Sequence, residues 1–381
     1  MSEAPRPTPA AGLGALALLF GRLGLTAVGG PAAHIALMQR EVVEKRGWLT
    51  NAEFLDLIGA SNAIPGPTST EVAMYTGRRH GGIPGLIVAG LGFIIPAALI
   101  VGVLAWAYVR YGAKPAVGDV LVGVKPVVVA VVLVAVVRLG RTAFTSRLLV
   151  GIGAGVLVAY LAGLNEPVLL LVASGVAATA GRWGGRPPGA ALAAVVGLPA
   201  LAATQTADPD LPRIFGAFFK IGALLFGSGY VLLAFLRRDL VLSYGWLTEG
   251  QILDAIAIGQ LTPGPVFTTA TFIGYLLSGV PGAVVATVAI FLPAFLMTAV
   301  LEPVIARLRA RPVTAAALDG LNAAAVALMV GVTWFLARDA VVDVPTALLA
   351  AGALGVLLRW GVNPVWLMAA GAAVGLLRSQ L

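Results

Sequence analysis

Two stretches decide the fold: "GQLTPGPVFTTATFIGY" (Gly259–Tyr275) and "NAIPGPTSTEVAMYTG" (Asn62–Gly77). Each places Pro-Gly-Pro, a side-chain amide and several hydroxyls inside a chain that is otherwise apolar from end to end. Proline donates no backbone hydrogen bond and breaks a helix interior at a cost of about 3 kcal/mol. Hydrocarbon offers the freed carbonyls no water, so a broken backbone survives at membrane depth only where protein buries it or it lines a wet cavity.

The surroundings are membrane-like. The chain has 381 residues, of which 59% are hydrophobic and 11% charged, and its mean hydropathy is +0.96. Long apolar runs recur at 84–108, 117–137, 148–161, 281–301 and 313–336, and a helix of about 20 apolar residues spans the hydrocarbon. An all-α polytopic membrane protein follows. There is no cysteine and there are two histidines, His34 and His80, so no disulfide, metal site or cofactor is expected. The net charge of +8 suits basic cytoplasmic loops, and no nucleic-acid partner is expected. Residues 1–10 read as a disordered tail without a signal peptide.

The chain repeats itself. "RGWLTNAEFLDLIGASNAIPGP" (46–67) aligns without a gap with "YGWLTEGQILDAIAIGQLTPGP" (244–265), 198 positions on. Trp48 meets Trp246, Asp56 meets Asp254, Asn62 meets Gln260, and Arg22 meets Lys220. After a one-residue deletion, Pro84–Gly85 and Pro96 meet Pro281–Gly282 and Pro293. Each unit reads as six segments: 11–33, 52–80, 85–108, 117–138, 148–163 and 167–181, then 212–236, 250–278, 281–302, 313–337, 343–358 and 363–378. The expected organisation is a first unit at 11–186, a linking transmembrane helix at 187–208 and a second unit at 209–381. One linking span makes the second unit enter from the opposite face, an inverted-topology repeat typical of secondary transporters.

Basic residues give a sidedness. With a cytoplasmic N-terminus, 14 fall inside, 8 outside and 3 within apolar segments. This assignment puts 34–50 outside and Arg78, Arg79, Arg237 and Arg238 inside, and Arg78–Arg79 give way to Leu276–Leu277 in the second unit.

The half-helices on either side of each Pro-Gly-Pro are too short to span, so each segment is a discontinuous helix or a re-entrant hairpin. Pro67 and Pro265 suit the first turn of the helix that follows. That turn presents free amides and a partial positive charge near the bilayer midplane, which is an anion site. The expected substrate-binding residues are Arg22, Asn62, Pro65, Gly66, Pro67, Thr68 and Ser69 in the first unit. In the second they are Lys220, Gln260, Thr262, Pro263, Gly264, Pro265, Thr268 and Thr269. Arg22 and Lys220 occupy equivalent mid-helix positions, and a cation there marks function by default; Asp56 and Asp254 are their candidate counter-ions. His34, Asp56, Glu71, Lys125, Asp254 and Asp319 are candidates for proton coupling or gating, with a plain ion pair as the competing reading for the carboxylates.

These residues resemble the chromate transporter family in its long, two-unit form. The resemblance is carried by "VGGPAAHI" (28–35), the 46–67 run and "GFIIPA" (92–97) in the first half. In the second half it is carried by "FGSGYVLLAFLRRDL" (226–240), the 245–275 run and "FLPAF" (291–295). Ser228 stands where the family pattern has glycine, and Val28 where it has phenylalanine. The resemblance implies chromate export across the cell inner (plasma) membrane, driven by the proton motive force, with sulfate as competitor. The residues themselves point to an inverted-repeat carrier for an anion, not to chromium. A sulfate carrier, a channel and a membrane-embedded lipid-phosphate enzyme remain as alternatives; the last lacks clustered carboxylates beside a serine nucleophile. The partners expected are chromate or sulfate, the lipid bilayer and, as an option, a second copy in a homodimer.

Overall fold

The computed structural model describes residues 12–61, 66–112, 114–182, 208–225, 232–309 and 312–378. Asn62 and Pro65, the N-terminal tail, most of the expected linking helix and the 226–231 part of the glycine-rich motif lie outside the described residues. The described residues form helices and contain no strand.

The first half holds α1 (Leu13–Thr26), α2 (Gly30–Gln39) running on into a π-helical turn (Arg40–Lys45), and α3 (Asn51–Ser61). It continues with α4 (Thr68–Tyr111), α5 (Pro115–Ala143), α6 (Arg147–Leu161) and α7 (Glu166–Arg182). The second half repeats this order: α8 (Leu211–Leu224), α9 (Leu232–Leu236) with the π-turn Arg237–Ser243, α10 (Glu249–Leu261), a 3-10 turn (Val266–Thr268), α11 (Thr269–Arg309), α12 (Pro312–Ala340), α13 (Val344–Trp360) and α14 (Pro364–Arg378). Among the described residues four helices are long and apolar enough to cross a membrane, within 68–111, 117–143, 266–300 and 312–340. The protein is an all-α polytopic membrane protein.

Two expectations are corrected, the 11–33 segment and the place of the one-residue gap. The 11–33 segment is not one helix: α1 stops at Thr26, and α2 begins only after Gly29, whose φ of 115° only glycine adopts readily. Each long helix that follows a Pro-Gly-Pro also bends, at Gly81–Gly82 in α4 (φ 57° at Gly82) and at Ser278–Gly279 in α11 (φ 59° at Gly279). The bends put the single-residue gap before Gly77, because Gly77 closes against Gly85 as Gly274 closes against Gly282. Arg78 and Arg79 therefore correspond to Tyr275 and Leu276, not to Leu276 and Leu277.

The arms flanking the first break fold back on each other. Glu53, early in α3, pairs with Arg79 at 3.3 Å across the break, and the Trp48 ring lies 5.4 Å from the His80 ring. The segment is a re-entrant hairpin, and Trp48, Glu53, Arg79 and His80 share one end of the bundle, the Arg79 end. Residues 34–50 therefore do not lie opposite Arg78–Arg79. At the other end, the Asp254 end, Tyr108 donates to Asp254 (2.8 Å), the Arg237 guanidinium lies 3.9 Å over the Phe335 ring, and Arg238 faces Glu166. Arg237 and Arg238 thus sit with the Glu166 loop, not opposite it.

Packing couples the halves. Helix α1 lies along α4 and α8 along α11, while α4 and α11 pack on each other at the centre. Helix α5 packs on α13 and α14 of the second half, and α12 on α6 and α7 of the first. Small residues permit this closeness: a Cβ on Gly123 would strike the Gly371 carbonyl, and one on Gly320 would lie 2.6 Å from the Ala173 carbonyl.

Candidate functional site

The helix breaks converge. The Gly66 amide, in the first Pro-Gly-Pro, donates to the Leu225 carbonyl just past α8 (2.8 Å), and the Gly264 amide, in the second, donates to the Ala27 carbonyl just past α1 (2.8 Å). These positions are equivalent in the repeat, so each half's Pro-Gly-Pro is tethered to the first helix break of the other half. Both glycines have positive φ, 146° and 89°. A Cβ on Gly66 would meet the Glu71 carboxyl and Ala294; one on Gly264 would meet Ala97 and, at 3.2 Å, the Gly24 carbonyl. Ala97 and Ala294 follow Pro96 and Pro293, so the centre is built twice from matching parts.

The chemistry at the two breaks differs. At the first, Pro67 accepts from the amides of Thr70 (2.8 Å) and Glu71 (3.1 Å). Thr68, Ser69, Thr70 and Glu71 are all buried. His34, 1% exposed, places Nδ1 3.4 Å from Ser69 Oγ and stands edge-on to Phe93. Among the described residues, neither Glu71 oxygen, nor Thr70 Oγ1, nor His34 Nε2 has a hydrogen-bond partner. Buried polar atoms without partners are costly and mark places where a ligand, water or proton acts.

At the second break the hydroxyl hydrogens are already used. Thr262 donates to the Gly259 carbonyl (3.2 Å), Thr268 to Pro265 (2.8 Å) and Thr269 to Val266 (2.8 Å). These hydroxyls retain only acceptor capacity, which an anion cannot use. The unused donor is Gln260, buried with Nε2 unpartnered among the described residues.

The cations fall elsewhere. Lys220 pairs with Asp239 at 2.7 Å, not with Asp254 or Asp56. Arg22 lies on the exposed side of α1, away from the packed face of Leu16, Leu19, Phe20 and Leu23; among the described residues it has no ion pair, and neither has the exposed Asp56. Lys125 binds Asp254 at 3.1 Å. Lys220, Lys125 and Asp254 are thus each in an ion pair. Asp319 is exposed on α12. Sequence reasoning missed the ring of cross-half ties at the Asp254 end, among them Tyr108 to Asp254 and Arg238 to the Gly163 and Leu164 carbonyls (3.3 Å each). It also missed that "VGGP" is itself a helix break, although two glycines before a proline carry that signal.

A groove of about 890 Å³ runs between α4 and α11, lined by side chains such as Ile83, Leu91, Trp106, Val284 and Leu296. Among the described residues it has no charged lining side chain, and it reads as a lipid-facing surface. A second cavity, of about 460 Å³, is lined by Val28, Gly29 and Pro31 at the α1–α2 break, Arg138 on α5, and Gly361 and Asn363 at the α13–α14 turn.

Such a structure, with duplicated broken helices meeting inside a polytopic bundle, has the architecture of a membrane transporter. The chain belongs to the chromate transporter family, whose model matches it over residues 14–179 and again over 212–376. It is 36% identical to the chromate transport protein of Cupriavidus metallidurans, over 94% of this chain and 91% of that one. It is 34% identical to the probable chromate transport protein of Synechococcus elongatus, over 92% and 91%. A shorter relative, the uncharacterized transporter YwrA of Bacillus subtilis, is 34% identical over 33% of this chain and 70% of its own length. No solved structure matches.

Proposed function

We propose that the protein is a secondary carrier that exports chromate from the cytoplasm, with sulfate as a competing tetrahedral dianion. The observation that carries this reading is the convergence of the helix breaks through the crossed tethers Gly66 to Leu225 and Gly264 to Ala27. The anion is held by the first turns after the breaks: the amides and hydroxyls of Thr68 and Ser69 on one side, and Gln260 with the amides of Val266 and Phe267 on the other. Gly66, Pro67, Pro263, Gly264 and Pro265 set the backbone of that site, and Arg22 and Lys220 supply long-range attraction. Glu71 and His34, buried at the same break, are the proton-coupling pair: a bare carboxyl there takes a proton as the anion leaves.

The two units, 11–186 and 209–381, are read as inverted repeats with the N-terminus in the cytoplasm of a cell whose inner membrane holds the protein. Support comes from the hairpin based at the Arg79 end and from its counterpart α10, which begins at the Asp254 end. Regrouping Arg40, Lys45 and Arg46 with the Arg79 end, and Arg237 and Arg238 with the Asp254 end, widens the basic bias from 14 against 8 to 15 against 7. That is the asymmetry expected if the Arg79 end is cytoplasmic.

The test is labelled chromate uptake into proteoliposomes under an imposed pH gradient, with unlabelled sulfate as competitor. Saturable uptake that collapses with the gradient and is reduced by sulfate is expected. Non-saturating flux would make the protein a channel, and sulfate-insensitive uptake would remove the shared-dianion site.

A further inference from the structure

We propose that the 460 Å³ cavity at the Arg79 end is an entry subsite for the oxyanion, with Arg138 as the residue that receives it before it reaches the breaks. The inference rests on the carrier reading above and adds to it a residue and a route.

Among the described residues the wall of the cavity carries one ionisable side chain, Arg138, and no carboxylate. Arg138 is exposed, and among the described residues it has no ion-pair partner. Near the opposite end Lys125, Lys220, Arg237 and Arg238 each face a carboxylate. A cation left without a counter-ion in a concave, low-dielectric wall concentrates anions and raises their arrival rate.

Position supplies the second argument. Helix α5 runs away from Lys125 at the Asp254 end, which carries Arg138 toward the Arg79 end. Val28 and Gly29 line the same cavity, and two residues before Gly29 the Ala27 carbonyl holds the Gly264 amide. An ion that enters past Arg138 therefore reaches the central breaks along continuous backbone. A cavity of 460 Å³ holds a five-atom oxyanion with part of its hydration, since a water occupies about 30 Å³. The cavity also lies between the halves, with α1, α2 and α5 on one side and the α13–α14 turn on the other, so rocking of one half against the other changes its access.

The experiment measures initial chromate transport by oriented proteoliposomes, with chromate presented from one face at a time. Arg138→Gln should raise KM for chromate presented at the Arg79 end about tenfold. The maximal rate, and KM from the other face, should stay within a factor of about two. Arg138→Lys should recover most of the loss, and the salt dependence of KM should flatten in the Gln variant. An unchanged KM at the Arg79 end, or an equal rise from both faces, would overturn the subsite while leaving the carrier intact. Absence of saturable transport by the wild type would overturn the carrier reading and the subsite together.

Discussion

The first and second Pro-Gly-Pro breaks share a backbone and differ in their side chains. Both glycines have positive φ and both are tethered to the opposite half. Yet the first break buries Glu71 with no partner among the described residues, where the second has Thr269 bonded to its own Val266 carbonyl. The ends differ as well. At the Asp254 end, first-half groups bind the second half: Tyr108 and Lys125 hold Asp254, and Glu166 faces Arg238. At the Arg79 end, Arg78 donates to the Thr298 and Ala299 carbonyls, and the cavity lined by Arg138 lies open. Duplication thus preserved a scaffold, while divergence left the unpartnered carboxyl in one half and gave the other the carboxylate and guanidinium held across the halves.

The shared backbone is tested most severely at its glycines. Gly264→Leu should abolish transport, because even a Cβ meets Ala97 and the Gly24 carbonyl at a φ that strains L-residues. Gly66→Leu should do the same by displacing Glu71. Transport and a thermal-unfolding control on the purified variants check this; a transporting, folded Gly264→Leu protein would remove the breaks from the ion path.

The difference at residue 71 gives the next effect. Glu71→Thr copies the second break into the first. It should cut gradient-driven chromate transport at least tenfold while exchange of chromate across the membrane, which needs no proton movement, continues. Equal loss of both would make Glu71 a packing residue. Glu71→Gln should match Glu71→Thr.

How much was legible follows from the same contrast. The gapless 46–67 and 244–265 match and the Pro-Gly-Pro runs disclosed the repeat and its breaks, because proline and glycine act locally. Glu71 and His34 stood out as rare polar groups in apolar sequence. Hairpin return was not legible, since a broken segment of about 28 residues fits either a spanning or a re-entrant path. The choice is made by long-range contacts such as Glu53 with Arg79. Partner assignment failed for a similar reason. Lys220 had Asp254 and Asp56 as symmetric candidates, but the chain that folds back after the α8 break brings Asp239 to it instead.

The ion pair of Lys125 with Asp254 is the third test. Lys125 and Asp254 have side chains 20% and 8% exposed, so removing one partner strands a largely buried charge at a cost of roughly 3 kcal/mol. Lys125→Gln should lower thermal stability by that order and raise solvent access at the Asp254 end, read with an engineered cysteine at Arg338 in this cysteine-free chain. The double variant Lys125→Gln with Asp254→Asn should recover most of the stability. If it does not, the pair is not a latch and the asymmetry of the ends rests on backbone alone.

The smallest effect concerns equivalent caps. Ser146 caps α6 by accepting from the Leu149 amide. Its counterpart Asp343 caps α13 by accepting from Thr346, and it also pairs with Arg378. The Thr346 hydrogen bonds, and after them Arg378, hold the Asp343 carboxyl below its ordinary value of 3.8. A lowered native value means that the ionised carboxylate favours the folded state above about pH 4, and that this contribution fades as pH falls through the native value. Asp343→Ser converts the second cap to the first, keeping a side-chain acceptor for the helix amide and losing the charge. Thermal midpoints of wild type and variant should therefore differ slightly at neutral pH and converge under acid. Both groups are solvent-accessible, so high salt should also narrow the gap. A difference that persisted at low pH would assign the contribution to the capping geometry, which the two halves share, and not to the charge, which only the second half carries.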